Sequence, residues 1–271
     1  MESGTKRRRR QRQHHFVLVH GACHGAWCWY KVATLLSSAG HRVTALDMAA
    51  CGASPGRAEE VPSFEEYSRP LLAAVSGLPP DEKAVLVGHS FGGLSLALAM
   101  ERYPDMVAVA VFVSTGMPSA GKPLAFVFEM FLQEEQPADR YMDNEFETSG
   151  DTQHPVETLR FGPQYLKQRL YQLSPPEDLA LAMAMVRPSQ RFLDDATMTG
   201  NVLTAERYGA VRKVCVVAED DATVPAAFQR RMASWNPGTE VTGLQGADHM
   251  VMLSKPRELS ELLMEIADKY V

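Results

Sequence analysis

The sequence predicts an α/β fold in which a mostly parallel sheet is flanked by helices. Five short and almost continuously apolar runs recur along the chain, as expected of parallel strands that are covered on both faces. The segments between these runs have helical periodicity, and such alternation is typical of a parallel sheet with crossover helices. The runs are residues 16–20, 42–47, 84–88, 107–113 and 213–218.

Helices are predicted between the runs by their end signals as well as by their periodicity. An apolar stripe over residues 32–36 marks one helix, which ends near Gly40. Ser63 and Glu66 have the spacing of a capping box and open another helix. The last helix has Pro256 in its first turn and a continuous apolar stripe behind it.

Residues 117–200 interrupt this alternation. They contain no strand-like run, and their helical patches are separated by prolines. We therefore predict that they form a helical cap, inserted into one core domain formed by residues 14–116 and 201–271. Residues 1–13 are rich in arginine and are predicted to be a disordered basic tail, with a targeting or acidic-surface contact as the alternative.

Composition and charge argue against several classes of protein. The chain has 271 residues and a formal net charge of -6, which disfavours a nucleic-acid partner because phosphate binding needs a basic face. No apolar run reaches the roughly 18 residues that a membrane span requires, and no signal-type segment precedes the first strand. We therefore expect a soluble, cytoplasmic protein that takes a small-molecule substrate. The composition leaves open whether the protein forms a homodimer.

Cysteine usage indicates neither a metal site nor a disulfide framework. The four cysteines are scattered without Cys-x-x-Cys spacing, and one of them lies inside an apolar run. We expect them to be reduced and buried. No phosphate-binding glycine loop or cluster of metal ligands is found in the sequence, so no cofactor is expected. The cysteines are Cys23, Cys28, Cys51 and Cys215.

The most informative motif follows the third apolar run. Gly88-x-Ser90-x-Gly92 stands between this strand-like run and an apolar helix-like segment. Small residues on both sides of the serine allow the strained turn of a nucleophile elbow, which presents the serine oxygen above the sheet. Ser90 is therefore predicted to be the nucleophile of a hydrolase.

A serine hydroxyl needs a general base, normally a histidine that a carboxylate orients. On sheets with this elbow the chain order is serine, acid, histidine, and only His154 and His249 follow Ser90. His154 falls in the irregular part of the predicted cap, whereas His249 follows a strand-like run at residues 240–244 and a turn. We predict that His249 is the base.

The candidate acids lie after the last of the five apolar runs. Glu219, Asp220 and Asp221 all stand at its carboxyl end, where the active sites of parallel sheets assemble. Asp248 is disfavoured because it is adjacent to His249 and poorly placed to reach the far ring nitrogen; it is interpreted as a turn residue. The strand-end position alone leaves Asp220 and Asp221 open.

Two backbone N–H groups are predicted to receive the oxyanion. One belongs to Phe91, the residue after the nucleophile, and the other to Ala22 in the loop after the first apolar run. His20 and His24 flank Ala22 and are interpreted as residues that order this loop. His89 is interpreted as structural.

A family resemblance covers nearly the whole chain. Residues 15–31, HFVLVHGACHGAWCWYK, resemble the opening of the plant methylesterases of the α/β-hydrolase superfamily, relatives of polyneuridine aldehyde esterase and the plant hydroxynitrile lyases. Residues 40–47, 67–72 and 246–250 continue the match. The resemblance implies an α/β-hydrolase fold and cofactor-free hydrolysis of small carboxylic methyl esters, such as methyl salicylate, methyl jasmonate or methyl indole-acetate.

The resemblance also implies roles for particular residues. In that family the acid stands four residues before a proline that precedes a Phe-Gln-Arg stretch, and counting back from Pro225 identifies Asp221. Contacts with substrate are implied at Gly21, Tyr141 and Met250.

Two other functions compete with ester hydrolysis. The related lyases have threonine where Gly21 stands and lysine where Met250 stands, and Met250 cannot supply a positive charge for departing cyanide. A hormone receptor with slow turnover is the second alternative, and the complete set of Ser90, His249 and Asp221 argues against an inactive site.

Overall fold

In a computed structural model, which describes residues 12–134, 139–150 and 155–271, the strands form one six-stranded and one three-stranded sheet. The strands are β1 (His15–Val19), β2 (Arg42–Leu46), β3 (Ala84–Ser90), β4 (Val107–Thr115), β5 (Glu145–Gly150), β6 (Pro155–Arg160), β7 (Ser189–Gln190), β8 (Lys213–Ala218) and β9 (Glu240–Leu244). The α-helices are α1 (Tyr30–Ser38), α2 (Phe64–Ser76), α3 (Gly92–Arg102), α4 (Phe126–Glu134), α5 (Pro163–Tyr165), α6 (Pro176–Met185), α7 (Ala196–Thr199), α8 (Ala226–Ser234), α9 (Val251–Ser254) and α10 (Pro256–Tyr270).

The larger sheet is parallel throughout and has the order β2-β1-β3-β4-β8-β9. The five apolar runs and residues 240–244 are all strands of this sheet, which confirms those predictions. Strand order reverses between β1 and β3, because β2 lies on one side of β1 and β3 on the other. Ligands bind parallel sheets at the carboxyl ends of the strands beside such a reversal.

Apolar side chains bury both faces of the larger sheet. On one face, strand residues pack with α2, α3 and α8; on the other, they pack with α1, α9 and α10. The predicted cap at Ser63 is present, since its Oγ accepts a hydrogen bond from the N–H of Glu66 at 3.1 Å. The four cysteines are buried and free, as predicted.

The prediction that residues 117–200 contain no strand is wrong. β5, β6 and β7 form an antiparallel sheet there, together with helices α4 to α7. The sequence signal was missed because every residue of β5 is exposed and most are polar, so the strand has no apolar run. Most of the predicted basic tail, and His154, lie outside the described residues.

Arg187 ties this inserted region to the core. Its guanidinium donates hydrogen bonds to the carbonyl oxygens of Gly52, Ser54 and Gly56 at 2.7 to 2.9 Å, and its N–H donates to the carbonyl of Cys23 at 3.0 Å. These acceptors belong to the loops that follow β1 and β2. The inserted region is thus held over the carboxyl edge of the sheet.

None of the described helices has both the length and the apolar character needed to cross a membrane. Within the same residues, no group of three or more His, Cys, Asp or Glu side chains is arranged to hold a metal ion.

We expect Arg187→Met to lower the free energy of unfolding by about 2 to 3 kcal/mol, because three carbonyl groups lose a charged donor. Urea denaturation followed by circular dichroism measures the change. Arg257→Met is the matched control, since Arg257 is exposed on α10. Equal effects of the two substitutions would show that Arg187 does not hold the inserted region in place.

Candidate active site

Ser90 ends β3 in a strained turn. Its φ is 51°, in the left-handed region that non-glycine residues rarely adopt. Two residues later the backbone allows no side chain, because a Cβ at Gly92 would lie 2.6 Å from the carbonyl oxygen of His20. The local geometry is that of a nucleophile elbow, with α3 beginning at Gly92.

Thr115, the last residue of β4, stabilises this turn through hydrogen bonds. Its hydroxyl donates a hydrogen bond to the carbonyl oxygen of Ser90 and accepts one from the N–H of Gly93 at 3.1 Å. A Cβ at Gly93 would come within 2.1 Å of the Thr115 Oγ1, so the glycine is required for this contact.

Asp221 lies in the loop that follows β8, and its carboxylate is paired with His249. The distance from His249 Nδ1 to Asp221 Oδ2 is 2.8 Å, and both side chains are almost completely buried. The N–H groups of Thr223 and Val224 donate to Asp221 Oδ1 at 2.7 and 2.9 Å. Gln229 Nε2 donates to Oδ2 at 3.1 Å.

Asp220 has a different environment. Its side chain is exposed and accepts a hydrogen bond from the N–H of Gly246 at 2.8 Å, in the turn before His249. The structure therefore brings Asp221, and not Asp220, to the ring of His249.

The main chain of His249 is fixed beside the nucleophile. His89 Nε2 donates to the carbonyl oxygen of His249 at 2.8 Å, and the two rings lie 4.8 Å apart between centroids. His89 directly precedes Ser90. In the described residues, no hydrogen bond joins Ser90 Oγ to the ring of His249; such bonds often tighten only when substrate binds.

Asp248 connects the histidine loop to the inserted region. Its carboxylate accepts hydrogen bonds from Leu173 N at 3.0 Å, Ser174 Oγ at 2.8 Å and Met250 N at 3.0 Å. Burial raises the pKa of this carboxyl group. Asp248 thus has a structural task besides shaping the turn.

Two histidines orient the loop after β1. His20 Nδ1 donates to the carbonyl oxygen of Gly21 at 2.7 Å, while its Nε2 accepts from the N–H of Met48 at 3.1 Å. Because the peptide unit is planar and trans, fixing the Gly21 carbonyl also fixes the opposed N–H of Ala22. His24 Nδ1 donates to the carbonyl of Ala22 at 2.8 Å, and its Nε2 accepts from Tyr171 Oη at 2.7 Å.

A cavity of about 610 Å³ opens above these residues. Ala22, Ser90, Phe91 and Asp221 all line it. Most of the remaining wall is apolar and comes from α8 and from the inserted region, including its helix α4. The main apolar wall residues are Val127, Phe128, Phe131, Phe161, Phe228 and Met232.

The three residues predicted to contact substrate lie in different places. Tyr141 lines the cavity and is 44% exposed. Met250 is not on the cavity wall, because it is fully buried in the apolar cluster beneath α9 and α10. Gly21 is also absent from the wall: it lies under the nucleophile, where an added Cβ would be 2.7 Å from Ser90 Cβ.

Sequence reasoning missed two polar residues of the site. Ser114, at the end of β4, donates a hydrogen bond to Asp221 Oδ2, and Gln229 on α8 donates to the same atom. Gln229 lies four residues after Pro225, in the Phe-Gln-Arg stretch that located the acid, so its neighbourhood was recognisable. No sequence signal distinguishes Ser114.

Comparisons with known proteins agree with the fold. The alpha/beta hydrolase family matches residues 16–262. The chain is 54% identical to the probable esterase PIR7A of Oryza sativa, with both chains covered completely. It is 45% identical to methyl jasmonate esterase 1 of Vitis vinifera, over 96% of this chain and 99% of that protein. A crystal structure of polyneuridine aldehyde esterase has a TM-score of 0.91 and 43% identity, covering 95% of this chain and 100% of that one.

We expect the free energy of unfolding to fall as the pH drops below about 6.5, the ordinary pKa of histidine. Burial lowers the pKa of His20 and His89 and brings that of His24 to about 3. The unfolded chain therefore binds protons first, and each histidine should remove up to about 1.4 kcal/mol per pH unit until its folded-state pKa is reached. Urea denaturation between pH 7.5 and 4.5 measures this slope.

His24→Gln is the matched variant, because glutamine does not titrate in this range. Its unfolding free energy should depend less steeply on pH than that of the unaltered protein. Identical slopes for the two proteins would contradict the assignment of a lowered pKa to His24.

Proposed function

The chain belongs to the plant methylesterases of the alpha/beta hydrolase family, and we propose that it is a serine carboxylesterase that hydrolyses small carboxylic methyl esters. One observation carries this proposal: a buried carboxylate–histidine pair stands beside an elbow serine at the base of a largely apolar cavity. The names of the relatives, which include a methyl jasmonate esterase, support the same reaction class.

In the proposed first step, Ser90 Oγ attacks the ester carbonyl while His249 Nε2 takes the hydroxyl proton. Asp221 holds the Nδ1–H of His249, which leaves Nε2 as the free acceptor and stabilises the imidazolium that forms. The N–H groups of Ala22 and Phe91 receive the negative oxygen of the tetrahedral intermediate. Collapse of that intermediate expels methanol, which takes the proton from His249.

The second step returns the enzyme to its starting state. Water attacks the acyl group on Ser90 and gives a proton to His249, and the N–H groups of Ala22 and Phe91 again receive the oxyanion. The resulting intermediate releases the carboxylic acid, and His249 returns the proton to Ser90. Apart from the ester and water, no group outside the chain takes part in the proposed reaction.

The cavity favours an acyl group with an apolar body. Its wall is mainly aromatic and aliphatic, and its volume is within the range of small-molecule sites. Plant hormone-type methyl esters, such as methyl salicylate, methyl jasmonate and methyl indole-acetate, have this character. Arg169 and Arg191 also line the cavity and are paired with Asp139 and Glu157, so polar substituents of the acid meet charged groups there.

Cyanohydrin cleavage is not supported by the site. Met250 is uncharged and buried away from the cavity, so it cannot stabilise departing cyanide. The threonine that the related lyases have at position 21 does not fit here, because its Cβ would lie 2.7 Å from the Cβ of Ser90. The cytoplasmic location and the lack of a nucleic-acid partner stay predictions from the sequence, which leaves open whether the protein forms a homodimer.

We expect the purified protein to hydrolyse methyl salicylate, methyl jasmonate or methyl indole-acetate, and Ser90→Ala to lower kcat by at least about 10³-fold, because the nucleophile is lost. Methanol release measures the reaction, and p-nitrophenyl acetate serves as a general ester substrate. Thermal unfolding checks that the variant is folded. No turnover of any ester by the intact protein, together with tight binding of the free acids, would favour the receptor function instead.

We expect Asp221→Asn to lower kcat by about 10³ to 10⁴, because asparagine cannot hold the required tautomer of His249. Asp220→Asn is the matched control, since Asp220 is the exposed neighbour and its carboxylate accepts a hydrogen bond from the N–H of Gly246. Its kcat should stay within a few fold of the unaltered protein. A larger loss in Asp220→Asn than in Asp221→Asn would reverse the assignment of the acid.

A further inference from the structure

Ser114 has an unusual backbone for a strand residue. It is fully buried near the end of β4, yet its φ is 43°, in the left-handed region. A non-glycine residue in such a conformation costs on the order of 1 to 3 kcal/mol and persists only where its surroundings impose it. Ser90 has the same kind of conformation at the end of the neighbouring strand.

The pairing of β3 with β4 explains this conformation. Val113 is opposite His89 and Thr115 is opposite Ser90, so Ser114 is an extra residue without a partner in β3. This is the arrangement of a β-bulge, which redirects a side chain and is frequent next to active sites. In a regular strand, successive side chains point to opposite faces. Here Ser114 and Thr115 both bond to the candidate active site.

The hydroxyl of Ser114 contacts both members of the acid–base pair. Ser114 Oγ donates a hydrogen bond to Asp221 Oδ2 and lies 3.1 Å from His249 Nδ1. Asp221 Oδ2 and His249 Nδ1 are 2.8 Å apart, so these two atoms and Ser114 Oγ form a closed triangle. An ionised carboxylate can only accept hydrogen bonds. The hydroxyl proton therefore points to Asp221, and a lone pair of Oγ faces the Nδ1–H of His249.

We propose that Ser114 is a positioning residue for catalysis, which the bulge aims at the acid–base pair so that its hydroxyl fixes the ring of His249 relative to Asp221. This inference rests on the proposed function. With Asp221 Oδ2 alone, the ring of His249 could pivot about a single hydrogen bond. The second acceptor, on another strand, limits that motion, which favours transfer of the Ser90 proton to Nε2.

The test compares Ser114→Ala with Ser114→Gly. Both remove the hydroxyl, but glycine also adopts the left-handed conformation without strain, so the two variants differ in stability. We expect both to lose kcat by about tenfold, part of the 10² to 10⁴ that a general base contributes, with KM changed less than twofold. A role confined to backbone strain predicts instead that the two variants differ in kcat as they do in stability.

A measurement that needs no turnover accompanies the kinetics. The downfield proton NMR resonance of the His249 Nδ1–H reports its hydrogen bonds, and we expect it to shift in both variants. His249→Ala identifies the resonance. Thermal unfolding confirms that each variant is folded.

The outcomes separate this inference from the proposed function. If the unaltered protein hydrolyses esters while both variants keep its kcat and resonance, Ser114 does not position the base. If the unaltered protein hydrolyses no ester, the proposed function fails, and the resonance alone then decides: an unshifted resonance overturns the inference, and a shifted one supports the contact.

Discussion

The buried carboxylate of Asp221 is the group on which the rest of the site depends. An ionised side chain in an apolar interior is strongly destabilising unless donors surround it. Five donors do so here: the hydroxyl of Ser114, two backbone N–H groups of the following loop, the amide of Gln229 and the ring of His249. These groups come from four parts of the chain: β4, the loop after β8, α8 and the loop with His249. The hydrogen bonds that stabilise the Asp221 carboxylate therefore also hold these four parts in position.

Parallel topology makes this convergence feasible. All six strands of the larger sheet end at the same edge, and the order reverses between β1 and β3. The loop with Ala22 follows β1, and Ser90 ends β3, so the proposed oxyanion donors and the nucleophile share the reversal point. Strain is concentrated at the same edge, where Ser90 and Ser114 both have left-handed backbones that the surrounding hydrogen bonds maintain.

The sequence was most informative where physical demands are local. Strands covered on both faces must be apolar, and the elbow at Ser90 needs small neighbours, so both were predictable. The strand β5 is exposed and needs no apolar residues, so its sequence did not predict a strand. Ser114 could not be predicted because a bulge depends on the register of two strands, which one segment does not encode. The preference for Asp221 over Asp220 needed the family resemblance, since two adjacent carboxylates have the same strand-end position.

Among the described residues, the inserted region contributes to the cavity wall but to none of the hydrogen bonds on Asp221. All five donors lie outside residues 117–200, whereas Tyr141, Leu159 and Phe161 of that region face the cavity. Part of the cavity wall is therefore encoded separately from the groups that hold the acid, whereas α8 contributes to both through Phe228 and Gln229. Substitutions in the insertion can therefore change which acyl group fits the cavity, while the hydrogen bonds on Asp221 stay unchanged.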